Sequence, residues 1–148
     1  MRNKMKRFAQ VTTLLFLILF FEISAQHSER LNGAWSVNWT DNNSTSFAGT
    51  LVMNSTGGSK FEAVLVWQLK ATKPGKFQQY IDRIAVEFLE GTLTGDEIQM
   101  SGYKEEDPLG IIALDSYKLS LSGDGRTIEG KTSNGGKWNG IFTAYLLK

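Results

Sequence analysis

The stretch KFEAVLVWQLKA, residues 60–71, decides the fold class of this chain. Its apolar side chains are Phe61, Ala63, Leu65, Trp67 and Leu69, and they alternate with Lys60, Glu62, Gln68 and Lys70. A repeat of two residues is typical of a β-strand with one buried and one solvated face. The stretch therefore predicts a β-strand that packs one face on a core.

Seven further runs of this kind are separated by short turns rich in glycine. They cover residues 34–40, 45–53, 84–94, 97–103, 117–122, 126–132 and 137–147. Gly95-Asp96 and Gly123-Asp124-Gly125 are typical of tight hairpin turns. We therefore predict an all-β fold, an eight-stranded antiparallel up-and-down barrel, because closure removes exposed strand edges. A Greek-key sandwich is the alternative.

The fourth strand and the loop after the fifth are the least regular parts of the pattern. We expect Ile84, Val86 and Phe88 to face the interior, although the apolar residues of segment 77–88 also fit one or two helical turns. The loop from Lys104 to Ser116 has a long apolar half, which we expect to cover part of the barrel.

The first 25 residues have the pattern of a secretory signal peptide. Basic residues precede an apolar run, residues 11–21, and small residues end at Ala25. The run is too short for a helix that spans a bilayer, which needs about 20 residues. We expect cleavage after Ala25, which leaves residues 26–148 as a single domain. We also expect a secreted or periplasmic location.

Charge and composition limit the classes of partner that we expect for this domain. Residues 26–148 have a net charge of about −2 and no basic cluster, which argues against nucleic acid. The chain contains no cysteine, so it has neither disulfides nor a lipoprotein anchor. A membrane-spanning barrel is disfavoured because run 117–122 is short and the polar faces carry Lys118, Glu129 and Lys131. We expect no membrane association after signal cleavage.

Few residues of the chain suit catalysis. The single histidine, His27, and the lack of cysteine exclude a Ser-His-Asp triad and a zinc site rich in His or Cys. Paired carboxylates remain possible in principle. We expect Glu87, Asp115 and the other acidic residues of segment 82–115 to lie on the surface. The prediction is a protein that is not an enzyme and has no cofactor or metal.

The aromatic residues favour a binding function. An eight-stranded barrel is just wide enough to be filled by side chains or to hold one small ligand. The interior is expected to offer only tryptophan indoles and the hydroxyl of Tyr117 as polar groups. We predict Trp39, Trp67 and Tyr117 as the lining of a site for an apolar small molecule, which would need a cavity of about a few hundred Å³. The bulk of the other inward side chains favours a largely solid core.

A protein-interaction module, such as an inhibitor or an assembly subunit with a filled core, is the competing prediction. On the last strand Ile141, Tyr145 and Leu147 lie opposite to the inward residues. We expect this apolar face to be covered by loop 109–114 or by a second subunit in a homodimer.

The segment Leu31-Asn32-Gly33-Ala34-Trp35 resembles the opening Gly-x-Trp element of the calycin group, which includes lipocalins, fatty-acid-binding proteins and avidins. In that group the tryptophan closes one end of an eight-stranded barrel. The resemblance implies structural roles for Gly33 and Trp35. It implies no particular ligand.

Overall fold

Eight antiparallel strands form one closed barrel in the computed structural model, which describes residues 28–75, 77–134 and 139–148. The strands are β1 (Gly33–Asp41), β2 (Ser46–Gly57), β3 (Lys60–Ala71), β4 (Ile84–Thr94), β5 (Glu97–Glu106), β6 (Ser116–Leu121), β7 (Thr127–Ser133) and β8 (Asn139–Leu146). Each strand pairs with the next along the chain, and β8 pairs with β1. The predicted up-and-down barrel is confirmed, and the Greek-key alternative is wrong.

Two short 3-10 helices, Ser28–Leu31 and Gln78–Tyr80, complete the secondary structure of the described residues. The second one accounts for the helical spacing before the fourth strand, because β4 begins only at Ile84. None of the helices found in residues 28–75, 77–134 and 139–148 is long and apolar enough to cross a membrane. The predicted signal peptide lies outside the described residues.

One end of the barrel, where β1 begins, is sealed by the first 3-10 helix. Leu31 and Trp35 are fully buried there, and the indole Nε1 of Trp35 donates a hydrogen bond of 3.0 Å to the carbonyl oxygen of Leu31. Gly33 has a φ of 135°, a conformation that favours glycine, and a Cβ at this position would lie 3.3 Å from Leu146. Gly33 and Trp35 thus lie together at the end of the barrel where β1 begins. We call this end the sealed end.

The interior is filled with side chains from alternate positions of every strand. In β3 the buried residues are Phe61, Ala63, Leu65, Trp67 and Leu69, as the opening pattern predicted. Five aromatic rings pack edge to face in an unbroken row: Trp39, Phe47, Trp67, Phe142 and Tyr117. Adjacent centroids in this row lie between 5.6 and 6.2 Å apart. The barrel core is therefore largely solid, as the bulk of its residues indicated.

The inward face of β4 differs from the prediction. Ala85, Glu87 and Leu89 are buried, whereas Ile84, expected inside, is 57% exposed. The outer face is apolar because Val66 pairs with Val86 and Val64 with Phe88 across the neighbouring strand. The prediction placed Ile84, Val86 and Phe88 inside because they are the more apolar of the two alternating sets. In this half of the strand that set faces outward.

The loop from Asp107 to Asp115 covers the barrel end opposite the sealed end, which we call the loop end. Ile111 is only 2% exposed and belongs to the barrel core, so the expectation that this loop covers something is confirmed. It does not cover the apolar face of β8. Ile141, Tyr145 and Leu147 remain 58%, 50% and 48% exposed, which corrects the expectation of cover by loop 109–114.

Candidate functional site

The only carboxylate that is buried within the described barrel strands, Glu87, lies near the loop end. Its side chain is 1% exposed and points inward from β4. Gly102 on β5 makes room for it, because a Cβ there would collide with Glu87 Oε1. The pairing of β4 with β5 also shifts register next to this position, between Phe88 and Leu89, as expected of a β-bulge. The expectation that Glu87 lies on the surface is therefore wrong.

Three donors converge on the Glu87 carboxylate. The Tyr117 hydroxyl donates to Oε2 at 2.5 Å, and the Trp67 indole Nε1 donates to the same oxygen at 3.2 Å. The backbone N–H of Asp115 donates to Oε1 at 3.2 Å. These bonds join β3, β4 and β6 to the end of the covering loop.

Asp115 is the second acidic group of the site. Its side chain is half-buried and takes a hydrogen bond from the hydroxyl of Thr132. That hydroxyl oxygen accepts a hydrogen bond of 2.6 Å from the indole Nε1 of Trp39. The expectation of a surface position for Asp115 is therefore only partly right, since its carboxyl belongs to this buried network.

Burial sets the protonation behaviour of the site. It raises the pKa of the Glu87 carboxyl, although the hydrogen bonds from Tyr117, Asp115 and Trp67 act in the opposite direction. Burial, together with the negative charge of Glu87, raises the pKa of Asp115 to about 7. Burial and the nearby Glu87 also raise the pKa of the Tyr117 hydroxyl well above its usual value, so this group stays a donor.

A small cavity lies between this polar network and the covering loop. Its walls are formed by Trp39, Phe47, Trp67, Glu87, Ile111, Ile112, Ala113, Asp115 and Tyr117. Its volume is about 30 Å³, which is room for about one or two water molecules. It is therefore much smaller than the few hundred Å³ expected of a site that already accommodates a whole ligand.

The structure brings all three predicted lining residues, Trp39, Trp67 and Tyr117, to this one cavity. They are 4%, 5% and 2% exposed. The sequence reasoning missed Glu87 and Asp115. A signal for Glu87 is present in the second half of β4. The apolar residues there, Leu89 and Leu93, lie an even number of positions from Glu87 and therefore on the same face of the strand.

The cavity is lined by hydrogen-bonding and acidic groups. The described residues include no group of three or more His, Cys, Asp or Glu that could hold a metal ion. They also leave no fully buried side-chain nitrogen or oxygen without a hydrogen-bond partner. The arrangement is thus a preorganised carboxylate at the base of an aromatic pocket.

Comparison with known proteins identifies the fold and no family. No protein-family model matches the chain, and no curated protein proved similar to it. A de novo designed fluorescence-activating β-barrel has a TM-score of 0.59 and 9% sequence identity, over 81% of this chain and 96% of that one.

Two further similar structures are described as bound to DFHBI. The redesigned β-barrel mFAP1 has a TM-score of 0.60 and 10% identity, over 83% of this chain and 100% of its own. The protein EF1p2_mFAP2b has a TM-score of 0.56 and 14% identity, over 84% of this chain and 98% of its own. At these identities the likeness is one of fold: this chain is an all-β, closed eight-stranded barrel.

Proposed function

We propose that this protein is an exported, non-catalytic binding protein that holds one small, flat, largely apolar ligand at the loop end of its barrel. The observation that carries the proposal is the convergence of Trp39, Phe47, Trp67 and Tyr117 on one cavity. Aromatic walls with a few fixed polar groups are typical of small-molecule sites. The opposite end is sealed by Trp35, so the loop end is the route of entry.

The covering loop makes the proposal compatible with the small volume of the cavity. Within this loop Ile111 fills the mouth of the barrel, while its neighbours Leu109 and Leu114 are 37% and 40% exposed. A ligand that displaces Ile111 gains the space of this side chain and contact with the rings below. Two proteins with a similar structure are described as bound to the small molecule DFHBI, which supports small-ligand binding by this kind of fold.

A lipocalin-like classification and export are parts of the same proposal. The buried Trp35 at the sealed end, after Gly33, supports the first. The basic and apolar pattern of residues 1–25 supports the second.

A titration with N-phenyl-1-naphthylamine, a neutral fluorescent apolar probe, tests the proposed site. We expect a saturable rise in probe fluorescence with the unmodified protein. Ala113→Trp, which fills the mouth of the cavity, should weaken this binding at least tenfold. Val64→Trp, on the outer face of β3, is the matched control and should bind like the unmodified protein. Absence of saturable binding, or equal binding by both variants, would contradict the proposal.

A protein-interaction module is the second candidate, favoured by the exposure of Ile141 and Tyr145 on β8. Homodimers form through such apolar surfaces when they are large enough. Sedimentation of the unmodified protein and of Tyr145→Arg tests this candidate. It predicts a dimer that the substitution converts to a folded monomer, and a monomer in both samples would exclude the dimer.

A further inference from the structure

Among the residues that the structure describes, those lining the cavity at the loop end include two acidic groups and no basic one. Among its lining residues are Glu87 and Asp115, and none is Lys, Arg or His. The ion pairs in the described part of the chain, Arg30–Asp96, Lys70–Asp82 and Lys104–Glu106, all lie on exposed side chains elsewhere. A neighbouring charge that acts on the pKa of Glu87 is that of Glu105, which is also acidic. The barrel therefore places two acidic groups side by side in a position with little access to water.

Such an arrangement is costly for a barrel that only needs a packed core. A buried carboxylate is disfavoured unless it is hydrogen-bonded and paired with a cation. An apolar residue would fill the position of Glu87 without this cost. Instead the chain supplies three donors to Glu87 and a glycine, Gly102, that makes room for it.

The hydrogen bonds to Glu87 leave one acceptor position open. A carboxylate can accept about four hydrogen bonds, about two on each oxygen. Oε2 accepts from Trp67 and Tyr117, whereas Oε1 accepts only from the backbone N–H of Asp115. Because Glu87 lines the cavity, a donor placed there lies beside this carboxylate.

We infer that the ligand of this site carries a protonated amine, which enters the cavity and binds the Glu87 carboxylate beneath the aromatic rings. This inference rests on the proposed small-molecule function and specifies its ligand class. The ammonium group supplies the missing positive charge and the missing donor together. Trp and Tyr rings additionally attract a cation at their faces.

The size of the cavity agrees with this ligand class. A space of about 30 Å³ suits a group of the size of an ammonium head. The apolar remainder of the ligand then replaces Ile111 at the mouth, against Ile112 and Ala113. The polar group thus lies deep in the barrel and the apolar part toward the loop.

Three phenyl compounds of similar size separate charge from shape. We compare 2-phenylethylamine, which is cationic, with the neutral 2-phenylethanol and the anionic phenylacetate, using isothermal titration calorimetry at pH 8. The expected result is binding of the amine at least tenfold tighter than of the alcohol, with no binding of phenylacetate. At pH 5.5 the preference should shrink, because Asp115, with a pKa of about 7, then takes up a proton while the amine stays charged. The raised pKa of Glu87 acts in the same direction.

Two variants locate the effect. Glu87→Gln keeps the shape of the side chain and should abolish the preference for the amine over the alcohol, with its fold checked by circular dichroism. Glu62→Gln removes an exposed carboxylate from β3 and should leave the preference unchanged. Ile111→Ala is titrated in parallel, because it opens the mouth and reports binding if the loop limits access.

The outcomes distinguish this inference from the function on which it rests. Equal or tighter binding of 2-phenylethanol overturns the inference and leaves small-molecule binding intact. A preference for the amine that survives in Glu87→Gln also overturns it. If neither the unmodified protein nor Ile111→Ala binds any of the three compounds, the inference and the proposed function both fail.

Discussion

Removal of one buried hydroxyl, in Tyr117→Phe, probes the polar network most cleanly. Tyr117 is 2% exposed, and its ring packs edge to face on Phe142 at a centroid distance of 5.6 Å. Phenylalanine keeps this packing and loses the hydroxyl, which donates a hydrogen bond to Glu87 and accepts one from the Trp67 indole. The bond to Glu87 is 2.5 Å long, within the range of charge-assisted hydrogen bonds between oxygens.

The expected cost follows from that geometry. A hydrogen bond to a charged group contributes about 1.5–3 kcal/mol to stability. We therefore expect the free energy of unfolding in urea at pH 8 to fall by about 2 kcal/mol, and the midpoint of thermal unfolding by roughly 5–10 °C. The loss should be smaller at low pH, where Glu87 is protonated and the bond it accepts is weaker.

Tyr145→Phe is the matched control, because it removes a hydroxyl from a tyrosine that is 50% exposed on the outer face of β8. We expect a change within about 0.5 kcal/mol for this surface substitution. If Tyr117→Phe is as stable as the control at pH 8, the hydroxyl does not support a buried carboxylate and the description of the site is wrong.

Three other substitutions test neighbouring parts of the site. Gly140→Ala places a Cβ against the Trp39 indole, so it should lower the free energy of unfolding in urea by about 1–3 kcal/mol and weaken binding of the fluorescent probe. Unchanged probe binding would show that Trp39 is not part of the site. Asp115 has a raised pKa in the folded state, so its contribution to stability is complete below about pH 4 and is lost as the pH rises through 7. The substitution Asp115→Asn should therefore make the midpoint of thermal unfolding less dependent on pH between these values. An unaltered pH profile would argue against burial of this carboxyl. Ile111→Ala should cost about 2–5 kcal/mol, since the side chain is 2% exposed, and a loss below about 1 kcal/mol would show that the loop does not pack into the barrel.

The fold was predictable because most strands carry an unambiguous alternation. In β3 and β6 every inward position is apolar or aromatic and the outward positions of β6 are polar, so the pattern alone assigns the faces. The strand count and short connections then leave few topologies other than a closed barrel. Strand ends were predicted to within four residues, with the largest difference at the end of β2, because glycine and asparagine mark most of the turns.

The local pattern did not show which face of β4 points inward, because two effects make the outer face look like the buried one. Its outer residues are apolar and pair with valines of β3, and its inner face carries a charge. Glu87 is tolerated inside only because donors from Trp67, Tyr117 and Asp115 reach it from three distant segments. A local window contains none of these partners.

Only the aromatic half of the candidate site could be predicted, because its acidic half depends on contacts between distant segments. Aromatic residues with inward parity on β1, β3 and β6 could be recognised one strand at a time, and Trp39, Trp67 and Tyr117 indeed meet. The acidic half depends on how the loop 107–115 returns to β5, where the N–H of Gly102 donates to the carbonyl of Asp115 at 2.9 Å. That long-range contact is a property of the fold.

The indole N–H signals of the four tryptophans, in a ¹H–¹⁵N spectrum recorded during titration with 2-phenylethylamine, test the central claim most directly. The signals of Trp35, Trp39 and Trp67 are assigned by single Trp→Phe variants. The account predicts saturable shifts for Trp39 and Trp67 at the loop end and none for Trp35 at the sealed end. Shifts at Trp35 of the same size, or no shift at Trp39 and Trp67 at saturating amine, would contradict a ligand site at the loop end.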